Sequence, residues 1–371
     1  MILFSAVAGT QLANFAKGNP LTPPPPPPPI EHIYIRNDGS VDPSSTPIQR
    51  TGNVYTFTDN ILNSTIEVQR DNITIDGAGF ILQGHKPYEG LSLIDRNNVT
   101  IMNLDIRQSR KGIIVWNSSG NFITRNRFTI SYIGVELITG ENNTLSENHF
   151  EEAEILLFNT SHNNISKNIM SNGGWGISIE QRSSENSVFG NNITEKTTAG
   201  IYISTSRGNS IYQNFIENNN VGIYIDNAIL DVFVTRGINV NTFRQNSLMN
   251  NTASVYTDEY PKSIPPDAKY AKYKMKLCFE CNYWSDYNGT DNNKDGIGDT
   301  PHGINSDTVD NYPLMSLFDT YNNTIVVPSP TPSPALKQSE PFPTVLVATA
   351  SGASVGVAVV CGVLYFKKRN H

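Results

Sequence analysis

The chain has 371 residues, a formal net charge of −7 at pH 7 and three cysteines. An acidic chain without a basic patch does not offer the lysine and arginine contacts that neutralise phosphates, so we expect no nucleic-acid partner. Length alone would suggest about two or three domains. An internal repeat in the central part of the chain replaces that expectation with one continuous unit.

The N-terminal residues suggest an export segment followed by a spacer. An apolar run over residues 2–8 ends in small residues, as a secretory signal does, but no positively charged segment precedes it. We therefore predict a truncated signal segment over residues 1–17. Residues 18–30 contain seven consecutive prolines, which favour a stiff polyproline II spacer.

The central part of the chain is built from a short repeat. The pattern Asn-x-φ-x-x-Asn-x-φ, with φ apolar, occurs six times, at start-to-start spacings of 22, 20, 23, 23 and 32 residues. A Gly-φ-x-φ segment completes most copies, and Glu154 stands at the glycine position of one copy. Alternating apolar residues indicate strands with one buried face. A short fixed period indicates stacked coils, so we predict a parallel β-helix over residues 31–275.

The repeated asparagines have a structural interpretation. Asparagine tolerates the left-handed backbone conformation of a sharp corner, and its side chain bonds to nearby backbone. Stacked at one corner of successive coils, such residues form hydrogen-bonded ladders. We predict one ladder from Asn121, Asn143, Asn163, Asn186, Asn209 and Asn241, and a second from Asn126, Asn148, Asn168, Asn191, Asn214 and Asn246.

Outward-facing strand residues are the candidates for ligand contact. One outward column consists of Ile114, Glu136, Leu156, Ser178, Tyr202 and Tyr224, and the next consists of Trp116, Ile138, Phe158, Glu180, Ser204 and Asp226. Tyr202 and Tyr224 should stack on adjacent coils with Trp175 near the same edge, and such aromatic faces suit sugar rings. The alternative is a cross-strand aromatic pair that only stabilises the sheet. Since Glu180 and Asp226 are two coils apart, we assign no catalytic residue.

Residues 276–318 follow the repeat and are predicted to cap the open end of the solenoid. Within them, Asp291, Asn293, Asp295 and Asp299, with the carbonyl of Ile297, have a spacing that can wrap a calcium ion. The twelfth loop position is a histidine, so the pattern departs from that of an EF-hand. We predict a possible Ca²⁺ site in this loop, and the alternative is a metal-free loop of Asx turns.

The cysteines and histidines do not form a recognisable metal set. Cys278 and Cys281 are a lone CxxC pair, at best half of a zinc site; a local disulfide is favoured, and two free thiols remain open. Copper sites use clusters of His, Met or Cys. The histidines here are scattered, and His149 and His162 are the pair that could approach each other.

The end of the chain is typical of a membrane anchor. Residues 319–343 form a linker rich in Pro, Ser and Thr; residues 344–366 are apolar and long enough to cross a hydrocarbon core of about 30 Å; residues 367–371 form a basic tail. Basic residues mark the cytoplasmic side. We predict a single-pass protein of the cell membrane with an extracellular main domain and a cytoplasmic C-terminus. Its eleven Asn-x-Ser/Thr sequons are candidates for glycosylation.

The repeats, together with the run VQRDNITIDGAGFILQG, resemble the NosD-type periplasmic copper-accessory β-helix family. More broadly they are similar to right-handed parallel β-helix repeats of carbohydrate-binding and sugar-hydrolysing proteins. The flanking segments and the anchor resemble those of archaeal membrane-anchored surface proteins. The resemblance, over about residues 54–256, implies an exported all-β protein: a right-handed parallel β-helix solenoid with a C-terminal cap and one C-terminal transmembrane helix.

The resemblance leaves several functions open. The first is a membrane-anchored surface protein whose β-helix binds polysaccharide or serves a structural role among cell-envelope components. The alternatives are a polysaccharide lyase, hydrolase or epimerase, and a NosD-like accessory protein in copper-site maturation. The catalytic motifs of pectinases and uronan epimerases are absent, which favours the hypothesis that the protein is not an enzyme.

Overall fold

A computed structural model describes residues 31–84, 89–129, 132–226, 240–258, 277–306 and 308–318. Within these ranges the chain forms strands and no helix, and the strands stack as a parallel β-helix of right-handed type, as predicted. Accordingly, none of the described residues belongs to a helix that could cross a membrane. The predicted signal segment, proline spacer, linker, transmembrane helix and basic tail lie outside the described residues.

Successive coils contribute one strand to each of three sheets, here called sheets A, B and C. Sheet A contains β1 (Glu31–Ile35), β2 (Val41–Asp42), β6 (Ser64–Val68), β9 (Glu89–Ile94), β12 (Lys111–Trp116), β15 (Ile133–Ile138), β18 (Glu154–Phe158), β21 (Trp175–Glu180), β24 (Ala199–Ser204), β27 (Val221–Asp226) and β30 (Ala253–Thr257). Sheet B contains β3 (Ile48–Thr51), β4 (Val54–Phe57), β7 (Thr74–Asp76), β10 (Thr100–Met102), β13 (Phe122–Thr124), β16 (Thr144–Ser146), β19 (Asn164–Ser166), β22 (Ser187–Phe189), β25 (Ser210–Tyr212), β28 (Asn241–Arg244), β31 (Leu277–Glu280), β33 (His302–Asn305) and β34 (Thr308–Asp310). Sheet C contains β5 (Ile61–Leu62), β8 (Ile81–Gln83), β11 (Asp105–Arg107), β14 (Arg127–Thr129), β17 (His149–Glu151), β20 (Ile169–Ser171), β23 (Asn192–Thr194), β26 (Phe215–Glu217), β29 (Ser247–Met249) and β32 (Tyr283–Trp284).

The interior of the helix is a stack of identical positions. The register places each inward apolar residue of one coil directly on its equivalent in the next, so that one column consists of Ile113, Val135, Ile155, Ile177, Ile201 and Ile223. All six are buried. Because burying one such side chain stabilises a fold by about 1.5–3 kcal/mol, these columns supply the main stabilisation.

Both predicted asparagine ladders are present. In each ladder the backbone N–H and the side-chain amide of one asparagine donate to the Oδ1 atom of the next, at 2.9–3.1 Å. The second ladder continues beyond its predicted end, because Asn246 donates to Asn282 in the same way. The structural interpretation of these twelve residues is therefore confirmed.

The left-handed corner conformation was assigned to the wrong residues. None of the twelve ladder asparagines has a positive φ; the residue immediately before a ladder asparagine does, as at Arg125, Asn142 and Glu147, with φ of 54°, 56° and 57°. This division has a physical reason. The preceding residue turns the chain, and the asparagine that follows can then point its side chain into the corner, where it is buried.

A third ladder lies at the corner between sheets C and A, and it was missed. Asn219 donates to Asn251 through its backbone and side-chain nitrogens, and the backbone N–H of Lys196 donates to Asn219. Lys196 occupies an asparagine position, and its ammonium group donates to the carbonyls of Ser171 and Asn172. A lysine in place of asparagine hid this ladder from a search for a repeated residue.

The second ladder ends on a carboxylate. Asp310 is buried and accepts hydrogen bonds from both nitrogens of Asn282, from the indole of Trp284 and from the backbone N–H groups of Cys281 and Tyr312. An acceptor-only side chain suits this position, because the last ladder residue presents only donors.

The expected disulfide is not formed. Neither Cys278 nor Cys281 is part of a disulfide, and the thiol of Cys278 donates to the carboxylate of Glu280 at 3.3 Å. Burial, with Glu280, raises the pKa of Cys278 to about 11. The two residues point differently because Cys278 lies in strand β31, whereas Cys281 occupies the corner with φ of 55°.

Candidate functional site

The outer face of sheet A carries the predicted columns in the predicted register. Strand pairing places Ile114 beside Glu136, then Leu156, Ser178, Tyr202 and Tyr224 on successive coils. The neighbouring column runs from Trp116 through Ile138 and Phe158 to Glu180, and Ser204 lies beside Asp226 further along it. The residue type on this face changes between most coils, unlike that in the ladders, and tyrosine recurs only at Tyr202, Tyr224 and Tyr256.

Four aromatic side chains form a continuous group on this face, which we call the aromatic strip: Trp175, Tyr202, Tyr224 and Tyr256. Ring centroids are 4.7 Å apart for Trp175 and Tyr202, 5.3 Å for Tyr202 and Tyr224, and 5.0 Å for Tyr224 and Tyr256. The predicted stacking of Tyr202 and Tyr224 on adjacent coils thus takes an edge-to-face form, with an interplanar angle of 78°. The structure brings all three predicted aromatic residues together.

Tyr256 is the member of the strip that sequence analysis missed. It pairs with Tyr224 although 32 residues separate them, since a long segment intervenes between the two coils. The sequence contains a pattern that could have identified it. Tyr256 precedes Asp258 by two positions, as Tyr224 precedes Asp226, so the two strands can be aligned.

Carboxylates follow one side of the aromatic strip, and we call Glu180, Asp226 and Asp258 the acid row. Tyr202 Oη donates to Asp226 at 3.1 Å, and Tyr224 Oη donates to Asp258 at 2.9 Å. Ser204 Oγ also donates to Asp226, at 3.1 Å. Burial, and then Asp258, raise the pKa of Tyr224 to about 12, so this phenol keeps its proton in neutral solution.

The predicted separation of Glu180 and Asp226 is confirmed, because strand β24 lies between their strands. The two carboxylates nevertheless influence each other: burial first, and then Asp226, raise the pKa of Glu180.

A buried acid and a buried base lie at the other end of the strip. Burial raises the pKa of Glu154 to about 7; Glu180 and Glu136 add to the rise, and Ser178 and Lys196 oppose it. Burial lowers the pKa of Lys196 to about 8, and Glu154 opposes that change. Ser178 is 1% exposed, so its hydroxyl is buried close to the Glu154 carboxyl group. Carboxyl and ammonium groups with such perturbed pKa values are candidates for functional residues.

Sequence analysis placed Glu154 at a glycine position, and this was wrong. In the structure Glu154 pairs with Ile133, the residue before Gly134, and Ile155 pairs with Val135. Its coil is therefore one residue shorter than its neighbour at this point. That shift directs a carboxyl group to a position that is apolar in the neighbouring coil.

The other half of the outer face carries one apolar column. Ile94, Trp116, Ile138 and Phe158 form one column over four coils, and Trp116 is 49% exposed. Beside it, Lys111 forms an ion pair with the buried carboxylate of Glu136.

The predicted calcium loop is held by its own hydrogen bonds. The carboxylate of Asp291 accepts from the backbone N–H groups of Asp295 and Gly296, at 3.1 and 2.9 Å. Asp295 accepts from Ile297, and Asp299 accepts from Asn292, both through backbone N–H groups. The bond from Ile297 to Asp295, two residues earlier, is an Asx turn, and the others close wider loops. These hydrogen bonds direct the carboxylates of the loop to backbone donors, and no three acidic side chains of the described residues are placed together to hold a metal ion.

The comparisons with known proteins concern most of the solenoid. A family model described as periplasmic copper-binding protein (NosD) matches residues 55–289, more than half of the chain. The chain belongs to the NosD family. No curated protein sequence is significantly similar to it.

Several solved structures are similar to this NosD-family chain at low sequence identity. A variant of the periplasmic alginate epimerase AlgG is 11% identical, with a TM-score of 0.41, over 67% of this chain and 77% of that one. Alginate lyase from Paenibacillus sp. str. FPU-7 is 14% identical, with a TM-score of 0.41, over 58% of this chain and 90% of that one. The tailspike protein of E. coli bacteriophage HK620, in complex with a pentasaccharide, is 10% identical, with a TM-score of 0.42, over 62% of this chain and 45% of that one.

The family description raises the question of copper, and the described residues do not fit it. Copper requires a cluster of His, Cys or Met ligands, and no group of three or more His, Cys, Asp or Glu side chains in the described ranges could hold a metal ion. His149 lies on sheet C, where burial and Arg127 lower its pKa. His162 lies at a corner, 2.9 Å from Glu185. We therefore derive no chemistry through copper.

Proposed function

We propose that the chain is an extracellular β-helix protein that binds polysaccharide on the outer face of sheet A. The aromatic strip is the observation that carries this proposal. Its four rings are contiguous over four coils, and Trp175, Tyr202 and Tyr224 are each partly exposed while Tyr256 is 47% exposed.

Aromatic rings on a flat sheet suit extended sugar chains. The faces of sugar rings carry C–H groups that pack on aromatic side chains, and phenol oxygens supply hydrogen bonds at the rim. Successive strands of a β-helix are about 4.8 Å apart, so the strip offers one aromatic contact per coil along a line. A cross-strand pair that served stability alone would not need to extend over four coils.

We also propose the cellular setting that the C-terminal sequence predicts. A single-pass anchor over residues 344–366 would hold the β-helix at the outer side of the cell membrane, with the basic tail in the cytoplasm. The periplasmic description of the matched family supports an exported main domain. Protease accessibility on intact cells tests this topology: the β-helix should be cleaved while a tag after residue 371 is protected.

Binding is tested with the full chain and a panel of neutral and acidic polysaccharides, by size-exclusion chromatography that follows protein and polymer together. The variant Tyr224→Ala should weaken binding by about tenfold or more, because it removes one of the two central rings of the strip. Tyr212→Ala is the matched control, since Tyr212 stacks on Phe189 at 4.8 Å but lies on sheet B. Equal losses in both variants, or no co-elution with any polymer, would contradict the proposal.

A second candidate function is cleavage of the bound polysaccharide. The observation that favours it is the presence of two carboxyl groups at the end of the strip, the buried Glu154 and the half-buried Glu180, whose pKa values are both raised. A carboxyl group with a pKa of about 7 can donate a proton in neutral solution. The same chromatography decides: shortened polymer that disappears in Glu154→Gln supports an enzyme, and unchanged polymer supports binding alone.

A further inference from the structure

Two arginine side chains converge in the first coils of the solenoid, several coils from the aromatic strip. Arg50 is in strand β3, and Arg70 follows strand β6 by two residues. A Cβ atom built on Gly39 would lie 2.2 Å from Nη1 of both guanidinium groups, so the two nitrogens are at most twice that distance, 4.4 Å, apart. The two cationic groups therefore lie side by side over one glycine, and we call this arrangement the arginine cradle.

The turn between strands β3 and β4 orients both side chains. Nε of Arg50 donates to the carbonyl of Gly52 at 2.9 Å, and Nη2 of Arg70 donates to Oδ1 of Asn53 at 3.1 Å. Neighbouring residues of one turn thus fix two guanidinium groups that come from different parts of the first coils.

Gly39 provides the space that the two guanidinium groups occupy. It is buried and has a φ of 88°, a backbone conformation that favours glycine. Its carbonyl accepts a hydrogen bond from Tyr55 Oη at 3.0 Å, and Cζ of Arg50 lies 5.7 Å from the centre of the Tyr55 ring. Since the backbone is held from below, a side chain at position 39 would displace the guanidinium groups.

The cradle has positive charge and hydrogen-bond donors that no described residue uses. Like charges this close repel each other, and neither Arg50 nor Arg70 forms an ion pair within the described ranges. A guanidinium group has five N–H donors; Arg50 uses two and Arg70 uses one, which leaves three and four for a ligand. The neighbouring carboxylates have other partners: Asp42 is paired with Arg36, Asp71 is paired with Arg96, and Asp38 accepts from Ser40.

We infer that Arg50 and Arg70 form a binding site for a tetrahedral oxyanion, a sulfate or phosphate group. Guanidinium groups donate paired hydrogen bonds to the oxygens of such anions. A tetrahedral anion has enough oxygens to accept from both arginines at once, whereas the two oxygens of a carboxylate can be occupied by one guanidinium group. The bound anion would also place negative charge between two positive charges. The free ion and a sulfate or phosphate ester of a sugar share this chemistry.

Calorimetry of the full chain in neutral buffer at constant ionic strength tests this site with inorganic phosphate, inorganic sulfate and acetate. Phosphate and sulfate should bind with dissociation constants in the millimolar range or below. Acetate should bind about threefold or more weakly, because it makes fewer charge-assisted hydrogen bonds. Glucose 6-phosphate and glucose 6-sulfate form a second arm: tighter binding than that of the free ions assigns the site to a sugar ester, and equal binding assigns it to the free ion. Both results support the site.

Single substitutions identify the residues responsible. Arg70→Gln should weaken phosphate binding by about tenfold, because hydrogen bonds from a charged donor are lost. Arg244→Gln is the matched control: it removes the same charge near the other end of the solenoid, where Arg244 pairs with Glu280, and it should leave the affinity unchanged. Gly39→Ala should act like Arg70→Gln, since its methyl group would fill the cradle. If melting curves show that Gly39→Ala misfolds, Arg50→Gln replaces it.

Asp38 provides a test of opposite sign. Its carboxylate accepts from the backbone N–H and the hydroxyl of Ser40, at 2.8 and 2.7 Å. These bonds, and then Arg50 and Arg36, lower the pKa of Asp38, so the group is ionised in neutral solution and competes with a bound anion. Asp38→Asn should therefore tighten phosphate binding by about twofold or more.

Three results would overturn the oxyanion site. They are the absence of binding by both tetrahedral ions at millimolar concentration, an equal loss of affinity in Arg244→Gln and Arg70→Gln, and acetate binding as tight as that of phosphate. None of them affects the polysaccharide binding proposed above, because the cradle and the aromatic strip lie on different coils. Conversely, Tyr224→Ala should leave phosphate binding unchanged, so the two sites can fail separately.

Discussion

The asparagine ladders and the outer face of sheet A obey opposite rules on the same scaffold. In a ladder the same residue recurs through at least six coils, because each asparagine completes the hydrogen bonds of its neighbour. On the outer face of sheet A the residue type changes at almost every coil, from Ile114 to Glu136 to Ser178 to Tyr202. At ladder positions the fold requires asparagine, so the residue is repeated. At the outer positions of sheet A the fold requires no particular residue, so the side chains can differ and can serve a ligand.

This difference is also a difference in exposure and in partners. Asn168 is fully buried; its Oδ1 accepts two hydrogen bonds from Asn148, and its side-chain nitrogen donates to Leu145 and Asn191. The aromatic strip, in contrast, is partly exposed and contacts its own members and the acid row. A ladder substitution should therefore affect folding, and a strip substitution should affect binding.

The largest expected effect follows from breaking one ladder. In Asn168→Ala four hydrogen bonds are lost, and buried donors and acceptors on neighbouring coils are left without partners. Each such group costs about 1–3 kcal/mol, so we expect a loss of about 3–5 kcal/mol in the free energy of unfolding, measured by denaturant titration of the full chain.

The control for this substitution is Asn192→Ala. Asn192 is also an asparagine of a repeat, but it lies at an exposed position of strand β23. It should change the free energy of unfolding by less than about 0.5 kcal/mol. If Asn168→Ala is no more harmful than Asn192→Ala, the ladders are a consequence of the fold and not a source of its stability.

The next largest effect concerns Glu154, because burying its carboxyl group on the outer face destabilises the fold when the group is ionised. Its pKa is 4.5 in the unfolded chain and about 7 in the folded chain, so the folded state binds this proton more tightly. Stability from this group is present at low pH and is lost as pH rises from about 4.5 to about 7. We expect Glu154→Gln to be more stable than the parent by about 3 kcal/mol at pH 8, because a shift of one pKa unit corresponds to about 1.4 kcal/mol.

The measurement is the free energy of unfolding as a function of pH for the parent and for Glu154→Gln. The difference between them should disappear near pH 4.5, where both side chains are uncharged. Glu141→Gln serves as a control, because Glu141 is exposed at a corner. A constant difference between pH 4.5 and 8 would show that Glu154 titrates normally, and it would remove the main argument for a functional acid at this end of the strip.

The same contrast explains what the sequence could predict. The ladders and the interior columns were predictable because one residue type recurs at one spacing, and the register of the outer columns followed from them. Tyr256 was missed because the spacing lengthens to 32 residues before its coil. The third ladder was hidden because Lys196 replaces an asparagine.

The buried acid required more than a pattern. The location of Glu154 depends on a one-residue difference between neighbouring coils, and its raised pKa depends on burial by side chains from other coils. A sequence shows neither directly. The residues that turn the chain were also misassigned, since any of Arg125, Glu147 or Lys167 can take a positive φ once the ladder fixes the corner.

The smallest expected effect concerns the loop 291–299. It tests whether the loop is held by its own hydrogen bonds, as the ladders are, or binds a ligand, as we propose for the outer face. If its Asx turns alone hold it, as hydrogen bonds hold the ladders, calcium should not change its stability. We propose instead that calcium binds through Asp291, Asn293, Asp295 and Asp299 and the carbonyl of Ile297 after these side chains turn from their backbone donors toward the ion, because in the structure as described no three acidic side chains are placed to hold a metal. At a concentration of about ten times its dissociation constant, the ion would stabilise the fold by about 1.4 kcal/mol.

Thermal melting of the full chain in millimolar calcium should show this stabilisation as a higher melting temperature. The variant Asp295→Asn should reduce the shift. The control Asp59→Asn, which changes an exposed carboxylate at the other end of the solenoid, should retain it. No shift with calcium would show that the loop, like the ladders, is completed by its own hydrogen bonds, and an identical shift with magnesium would show that the stabilisation is not specific to calcium.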